Sequence, residues 1–434
     1  MAEPIYYRLS LDAELEPFRT EIEYACEFVD SHYGLRRGSE ARTILHYGVS
    51  PPVGAVHVPS ALFPGCIRID EEGLHIDRAQ LAAIEASLLP GAMRRDRLAL
   101  SYDALGLIFF LLSRIEERGC TASDHYDRFP AAQAFTVRHG LHLDPPADRA
   151  AKDIAAALTG VRRPVPATSF SVRLTHDVDR LRAYHRRFDW LRPVLGDLIR
   201  RHDPRAAWKR CRSVIGSGEP WQSFRRLMDI EEGYGQKGHY YFMGPTRLSM
   251  DSPYAADMAP LLRQVIGEVR ARGHVVGFHP GYATCADAEE WFRQRNGLEA
   301  IAGVPVREGR QHVLRYRADS TPDIWEAGEM TYDCSLAYPE FTGFRPGTCR
   351  QFHAYSLRHR KRLQLRQGAT AICDFGLMGG KYQELSIEDS LAECDKAIAV
   401  CERYGGDLVV LFHTGLPELP WFEFYERLLS RIFR

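Results

Sequence analysis

Three β-type runs in this 434-residue chain each end in side chains that can bind a metal or move a proton. They are Ser171-Val-Arg-Leu-Thr-His-Asp177-Val-Asp179, His274-Val-Val-Gly-Phe-His279 and Leu408-Val-Val-Leu-Phe-His413. The last is continuously apolar, as a strand buried on both faces must be, and such strands belong to parallel sheets. Segments with helical periodicity separate the runs, so the pattern predicts alternating strands and helices closing into a mostly parallel sheet or barrel. In that architecture the C-terminal ends of the strands carry the chemistry. Asp177 and Asp179 are two residues apart, so in a strand both point to one face. Two carboxylates that close need a cation between them or a proton on one of them.

The coarse reading places strands at 170–175, 238–243, 274–278, 311–316, 369–373 and 408–412. Helices are expected at 222–235, 254–273, 287–301 and 391–404. Ahead of these, residues 1–165 read as a smaller α/β domain of unassigned role. It has a helix over 14–32, short strands at 42–46 and 55–58, a strongly apolar helix over 102–118 and a polar loop at 125–130. Val161–Ala167, with two prolines, is the expected linker. Residues 166–434 form the second unit, with a helical basic insertion at about 180–235.

Composition narrows the function classes. The net charge of −1 offers no global field for nucleic acid. No run is long and apolar enough to span a bilayer. The N-terminus has no basic stretch followed by an apolar one, so the expectation is a cytoplasmic protein. Ten scattered cysteines without a Cys-x-x-Cys spacing are expected to be reduced and mostly buried. The stretch 180–212 is the exception to neutrality, holding eleven Lys and Arg against three Asp. It reads as a solvated helical face, or as a contact for an anionic membrane surface or a phosphate-bearing substrate.

A further cluster, Arg310-Gln-His312-Val-Leu-Arg315-Tyr-Arg317, carries too many cations for a strand buried on both faces. Either it is an edge strand with a solvated basic face, or one arginine holds a catalytic aspartate while His312 reaches a metal.

Together these segments resemble the polysaccharide deacetylase (NodB-homology) family. Thr175-His-Asp177-Val-Asp179 matches its first motif, Gly273-His-Val-Val-Gly-Phe-His279 its second, and Leu411-Phe-His413 its last. The resemblance covers about residues 168–434, and residues 1–165 resemble the α/β domain that precedes this module in one sub-branch. It implies a distorted (β/α) barrel of about seven strands and a metal-dependent hydrolase removing an N-acyl group, first an N-acetyl group, from a sugar or glycan precursor. It further implies Asp177 as general base, His413 as general acid, Arg310 or Arg315 orienting Asp177, and Asp179 and His279 as ligands of a divalent metal, zinc being the first choice. The chain departs from the family where a second histidine is expected four residues after His279, a place taken by Ala283. His312 is the replacement expected, with His176 and His353 behind it. Tyr282, Trp325 and Arg345 are candidates for substrate contact. Two alternatives stay open: a catalytically inactive carbohydrate-binding or scaffold relative, and an amidase acting on a non-sugar amide or formamide.

Overall fold

The structure, a computed structural model, describes residues 5–91, 99–181, 191–205, 207–208, 211, 220–414 and 419–434. Its centre is a closed ring of seven parallel strands. In ring order these are β7 (Ser171–Val178), β8 (His239–Phe242), β9 (Val275–Phe278), β10 (Glu308–Gly309), β11 (Tyr332–Ala337), β13 (Lys361–Cys373) and β14 (Asp407–Leu411), which pairs back onto β7. The distorted barrel of about seven strands is therefore what the chain builds. One more strand, β12 (Phe352–Ser356), lies antiparallel on the outer flank of β13.

The helices between strands cover the ring because their apolar residues recur at helical spacing. In Ile387–Tyr404 the buried positions Leu391, Cys394, Ile398 and Cys401 form one stripe. Ser386 caps its first turn by accepting from the Asp389 amide, and Gly405, at φ 61°, ends it in a left-handed turn that delivers the chain to β14. Inside the ring space is tight. A Cβ on Gly277 of β9 would lie 2.5 Å from the Tyr241 ring and 2.6 Å from the Glu308 carbonyl oxygen, so only glycine lets Tyr241 fill the barrel.

Residues 5–58 form a second sheet, all parallel, in the order β2 (Leu35–Arg37), β1 (Ile5–Leu11), β3 (Thr43–Tyr47), β4 (Val56–Val58). A small hairpin, β5 (Ile67–Asp70) and β6 (Gly73–Ile76), follows it. Helices Arg19–Tyr33, Ala104–Leu112 and Pro146–Thr159 pack with the parallel sheet into a core that runs on into Tyr316, Leu336, Phe352 and Tyr355 of the barrel side. No regular element lies between Thr159 and Ser171. All ten cysteines are free.

The main departure is at 311–316, where a strand was expected. The strand β10 stops at Gly309, and His312–Leu314 is a 3-10 turn with Val313 and Leu314 at φ 51° and 59°. The physical reason is charge. Arg310 runs into the barrel while Arg315 and Arg317 are drawn outward to Asp127, so the backbone must swing out of the sheet between them. Strands β11 and β12 were not anticipated. Of the basic insertion, Leu191–Ile199 and Pro220–Gly233 are helical, while 182–190, 206, 209–210 and 212–219 lie outside the described residues.

Candidate functional site

Asp177 lies in β7 at the mouth of the ring, and Asp179 follows one residue past its end. His279 and Arg310 each directly follow β9 and β10, and His413 comes two residues after β14. Parallel strands end on one side, so all five converge.

Arg310 is fully buried and its guanidinium is shared among three strands. It donates to Asp177 Oδ1 at 2.7 Å, to the Thr175 and Thr370 hydroxyls at 2.7 and 2.9 Å, and to the Cys334 carbonyl at 3.1 Å. The pair fixes one oxygen of Asp177. The other, Oδ2, is turned toward His279, 3.8 Å from its Nε2.

Two histidines face Asp179 with their Nε2 atoms. His279 Nδ1 bonds the Arg310 carbonyl at 2.6 Å, and His312 Nδ1 bonds Asp251 Oδ1 at 2.7 Å. Each acceptor demands the proton on Nδ1, which leaves the Nε2 lone pair free. Those nitrogens lie 3.3 and 4.0 Å from Asp179 Oδ1. One ligand atom from each of Asp179, His279 and His312 lies within 4.8 Å of the others, so the described residues contain a possible three-residue metal site. Asp179 Oδ1 is itself a buried oxygen without a hydrogen-bond partner. Such an orphan acceptor is costly, and two lone pairs aimed beside it cannot satisfy it. A divalent cation would satisfy all three, and two imidazoles with one carboxylate are a usual catalytic zinc set. Burial alone would raise the Asp179 carboxyl. Without a cation, the positive charge that His279, His312 and His413 carry when protonated outweighs it and holds Asp179 well below the usual carboxylate range.

His413 is held from behind by Asp374, which accepts from its Nδ1 and from its backbone N–H, both at 2.7 Å. Its Nε2 looks toward Asp179 Oδ2 from 4.0 Å. Burial disfavours the imidazolium, but Asp374, Asp179 and Asp177 outweigh it and lift the pKa of His413 to about 9.

Several expected residues are elsewhere. Arg315 does not reach Asp177: it binds Asp127 and the Tyr282 carbonyl and lies 4.3 Å over the Tyr282 ring. That stack also takes Tyr282 away from the cavity. Arg345 is buried in a two-pronged pair with Glu117, at 2.9 and 3.0 Å, with nothing left for a ligand. Trp325 packs against Trp291 in the barrel core. His176 is bonded to Glu231 in the core, and His353 bonds the Leu363 carbonyl on β13, so neither joins the metal cluster.

Three contributors were missed. Asp374 directly follows β13, and the rule that flagged the other strand ends would have found it. Asp251 carries no such signal: it comes from the loop after β8 and is held by the Tyr282 amide and the Thr246 hydroxyl. The third is the loop Asp124–Arg128 of the N-terminal part. The site opens into a cavity of about 250 Å³ whose wall includes Tyr126 and Arg128 beside Phe375, Lys381 and Tyr382. Arg128 ties this loop to the barrel through the Val313 carbonyl at 3.0 Å, and Lys381 donates to the Tyr126 hydroxyl at 2.9 Å.

No curated protein matches this chain. A family of unknown function (DUF7033) matches residues 51–162. Among solved structures the chain is similar to a protein from Mycobacterium smegmatis named as a polysaccharide deacetylase, at 14% identity and a TM-score of 0.42 over 61% of this chain and 84% of that one. It is also similar to the family 4 carbohydrate esterase from Streptomyces lividans solved with acetate (13%, TM-score 0.31, 62% of this chain and 91% of that one). A third is a CE4 family pseudoenzyme from Bacillus anthracis (11%, TM-score 0.31, 61% and 60%).

Proposed function

We propose that the chain is a metal-dependent amide hydrolase that removes an N-acyl group, first an N-acetyl group, from a sugar or sugar-containing precursor. One observation carries this reading: an arginine-held aspartate, a two-histidine, one-carboxylate cluster and an aspartate-held histidine all face one cavity. Asp179, His279 and His312 would hold the cation, with zinc the first choice. When bound, the cation supplies Lewis acidity toward a carbonyl oxygen and toward water.

The chain's own groups divide the proton work. Asp177, paired with Arg310 and aimed by it, takes a proton from the attacking water. His413 enters protonated, because Asp374 stabilises the imidazolium. It gives its Nε2 proton to the nitrogen as the C–N bond breaks, so the products leave as amine and carboxylate. Tyr126, Tyr382 and Phe375 offer the aromatic faces and hydroxyls that suit a sugar ring. In this reading residues 1–165 and 166–434 are two units, the first lending the second part of its substrate wall. The inactive alternative drew its support from Ala283; His312, arriving from another strand end, supplies the third ligand that Ala283 removes.

The test loads purified full-length protein with zinc or cobalt and offers N-acetylglucosamine oligomers, a nucleotide-linked N-acetyl sugar, simple acetamides and formamide, reading released acetate or formate. Release from an N-acetyl sugar that stops on chelation is expected. Stoichiometric metal without turnover of any acylated compound would favour the binding protein instead, and turnover of simple amides alone would favour the non-sugar amidase.

A further inference from the structure

The helix Leu191–Ile199 wears its apolar residues outside. Leu191, Leu195, Leu198 and Ile199, at i, i+4, i+7 and i+8, share one face and are 40, 51, 44 and 66% exposed, while Val194 and Asp197 point inward and are buried. Helix Ile387–Tyr404 does the reverse, with its stripe wholly buried. Nearby, Trp208 is 69% exposed. The same stretch exposes Arg192, Arg200, Arg201 and Arg205, of which Arg201 is paired with Asp197 at 2.7 Å. The whole stretch 180–212 holds eleven cations against three acids, in a chain whose total charge is −1. Apolar side chains left in water beside clustered arginines and a tryptophan are a pattern that water alone does not stabilise.

We infer that the exposed residues Leu191, Leu195, Leu198, Ile199 and Trp208, with the arginines of this stretch, are a docking surface for an anionic lipid bilayer, on which the protein lies without crossing. The leucines and isoleucine would enter the acyl boundary, the indole the headgroup level, and the arginines would meet lipid phosphates. Charge complementarity selects an anionic bilayer over a second copy, since another copy of this surface would bring arginine against arginine. No described helix is long and apolar enough to cross a membrane. The stretch leaves the barrel immediately after Asp179. Arg180 and Leu181 wall a second cavity, of about 370 Å³, which they share with Asp179, His312 and Met250. Met250 and Leu248 are further exposed apolar residues on the loop that carries Asp251.

Co-sedimentation of the full chain with vesicles tests this. Vesicles of phosphatidylcholine with one quarter phosphatidylglycerol should pull down the protein at low salt, and pure phosphatidylcholine should not. The double change Leu195→Glu, Ile199→Glu should reduce partitioning at least tenfold with an unchanged circular dichroism spectrum. Arg200→Glu with Arg205→Glu should reduce it and flatten the salt dependence. No binding to the anionic vesicles would overturn the inference, as would binding that the apolar double change leaves intact. Competition by millimolar pyrophosphate, with the apolar change without effect, would reassign the arginines to a soluble phosphate ligand. A dimer in analytical ultracentrifugation that the apolar change dissolves would reassign the face to a second copy. Metal content and amide hydrolysis should be the same in all these variants, so a failure here leaves the hydrolase reading untouched.

Discussion

Arg114 and Arg310 are both buried against carboxylates, and only the Arg310 cluster lines the cavity of the candidate site. Arg114 is fully buried, donates to Glu116 and Glu117 at 2.6 to 3.0 Å and to two carbonyls, and Glu117 is closed from the other side by Arg345. The remaining oxygen of Glu116 accepts the Phe135 amide. Every valence there is answered, and the cluster bolts the N-terminal part to the barrel. Arg310 is equally buried, yet the carboxylate it holds keeps an oxygen directed at His279, and beside it Asp179 Oδ1 has no partner. Burial of charge is common to both; an open valence belongs to one. A site is recognised by what its polar groups still lack.

The sharpest break in this comparison is at the two aspartates. Asp177→Asn should cost roughly 10³-fold in turnover, the scale of a lost general base, while bound metal stays stoichiometric. Loss of metal in that variant would make Asp177 a ligand instead. Asp179→Ala should lose both. In the closed cluster the effect should appear only in stability. Glu117→Gln leaves two buried guanidiniums short of charge and should cost about 3–5 kcal/mol in denaturant unfolding, with turnover per folded molecule unchanged. A clear loss of turnover would mean that the two clusters communicate.

Smaller effects probe the groups behind the histidines. Asp251→Asn keeps the shape and weakens the acceptor that sets the His312 tautomer, so metal affinity should fall about 10–100-fold in a chelator titration. Unchanged affinity would remove His312 from the ligand set. Asp374→Asn should move the alkaline limb of the pH–rate profile. His413 must enter protonated, and its pKa is lifted to about 9, so activity falls as pH rises through that value. Without the Asp374 charge the imidazolium is less favoured, and the limb should shift down by roughly 1–2 pH units. An upward shift, or none, would exclude His413 as the acid.

What the sequence made legible follows from locality. Asp177, Asp179, His279 and His413 could be gathered because each ends a run of strand character, and parallel strands end together. Arg310 was one of two candidates; choosing it over Arg315 depended on Asp127, which lies 188 residues away in sequence. His312 was named for its chemistry, but on a strand that does not form. Strand β11 escaped notice because Asp333, Cys334 and Ser335 interrupt its apolar pattern, although all three are buried, Cys334 against Tyr241 and Asp333 and Ser335 in hydrogen bonds with Gln367 and the Gln311 amide. Tyr126 and Asp251 enter the site through loops, and nothing local in a loop says what it will lean on.

The turn that follows Arg310 has one more consequence. Val313 is β-branched and Leu314 bulky, yet both hold a left-handed backbone at φ 51° and 59°, a conformation that costs such residues on the order of 1 kcal/mol each. Selection for heat tolerance alone should therefore find Val313→Gly early, raising the melting temperature of the metal-free protein. The same change frees the hinge on which His312 is presented, so the more robust variant should be the one that gives up its cation more readily to a chelator. Durability and grip are set against each other within two residues.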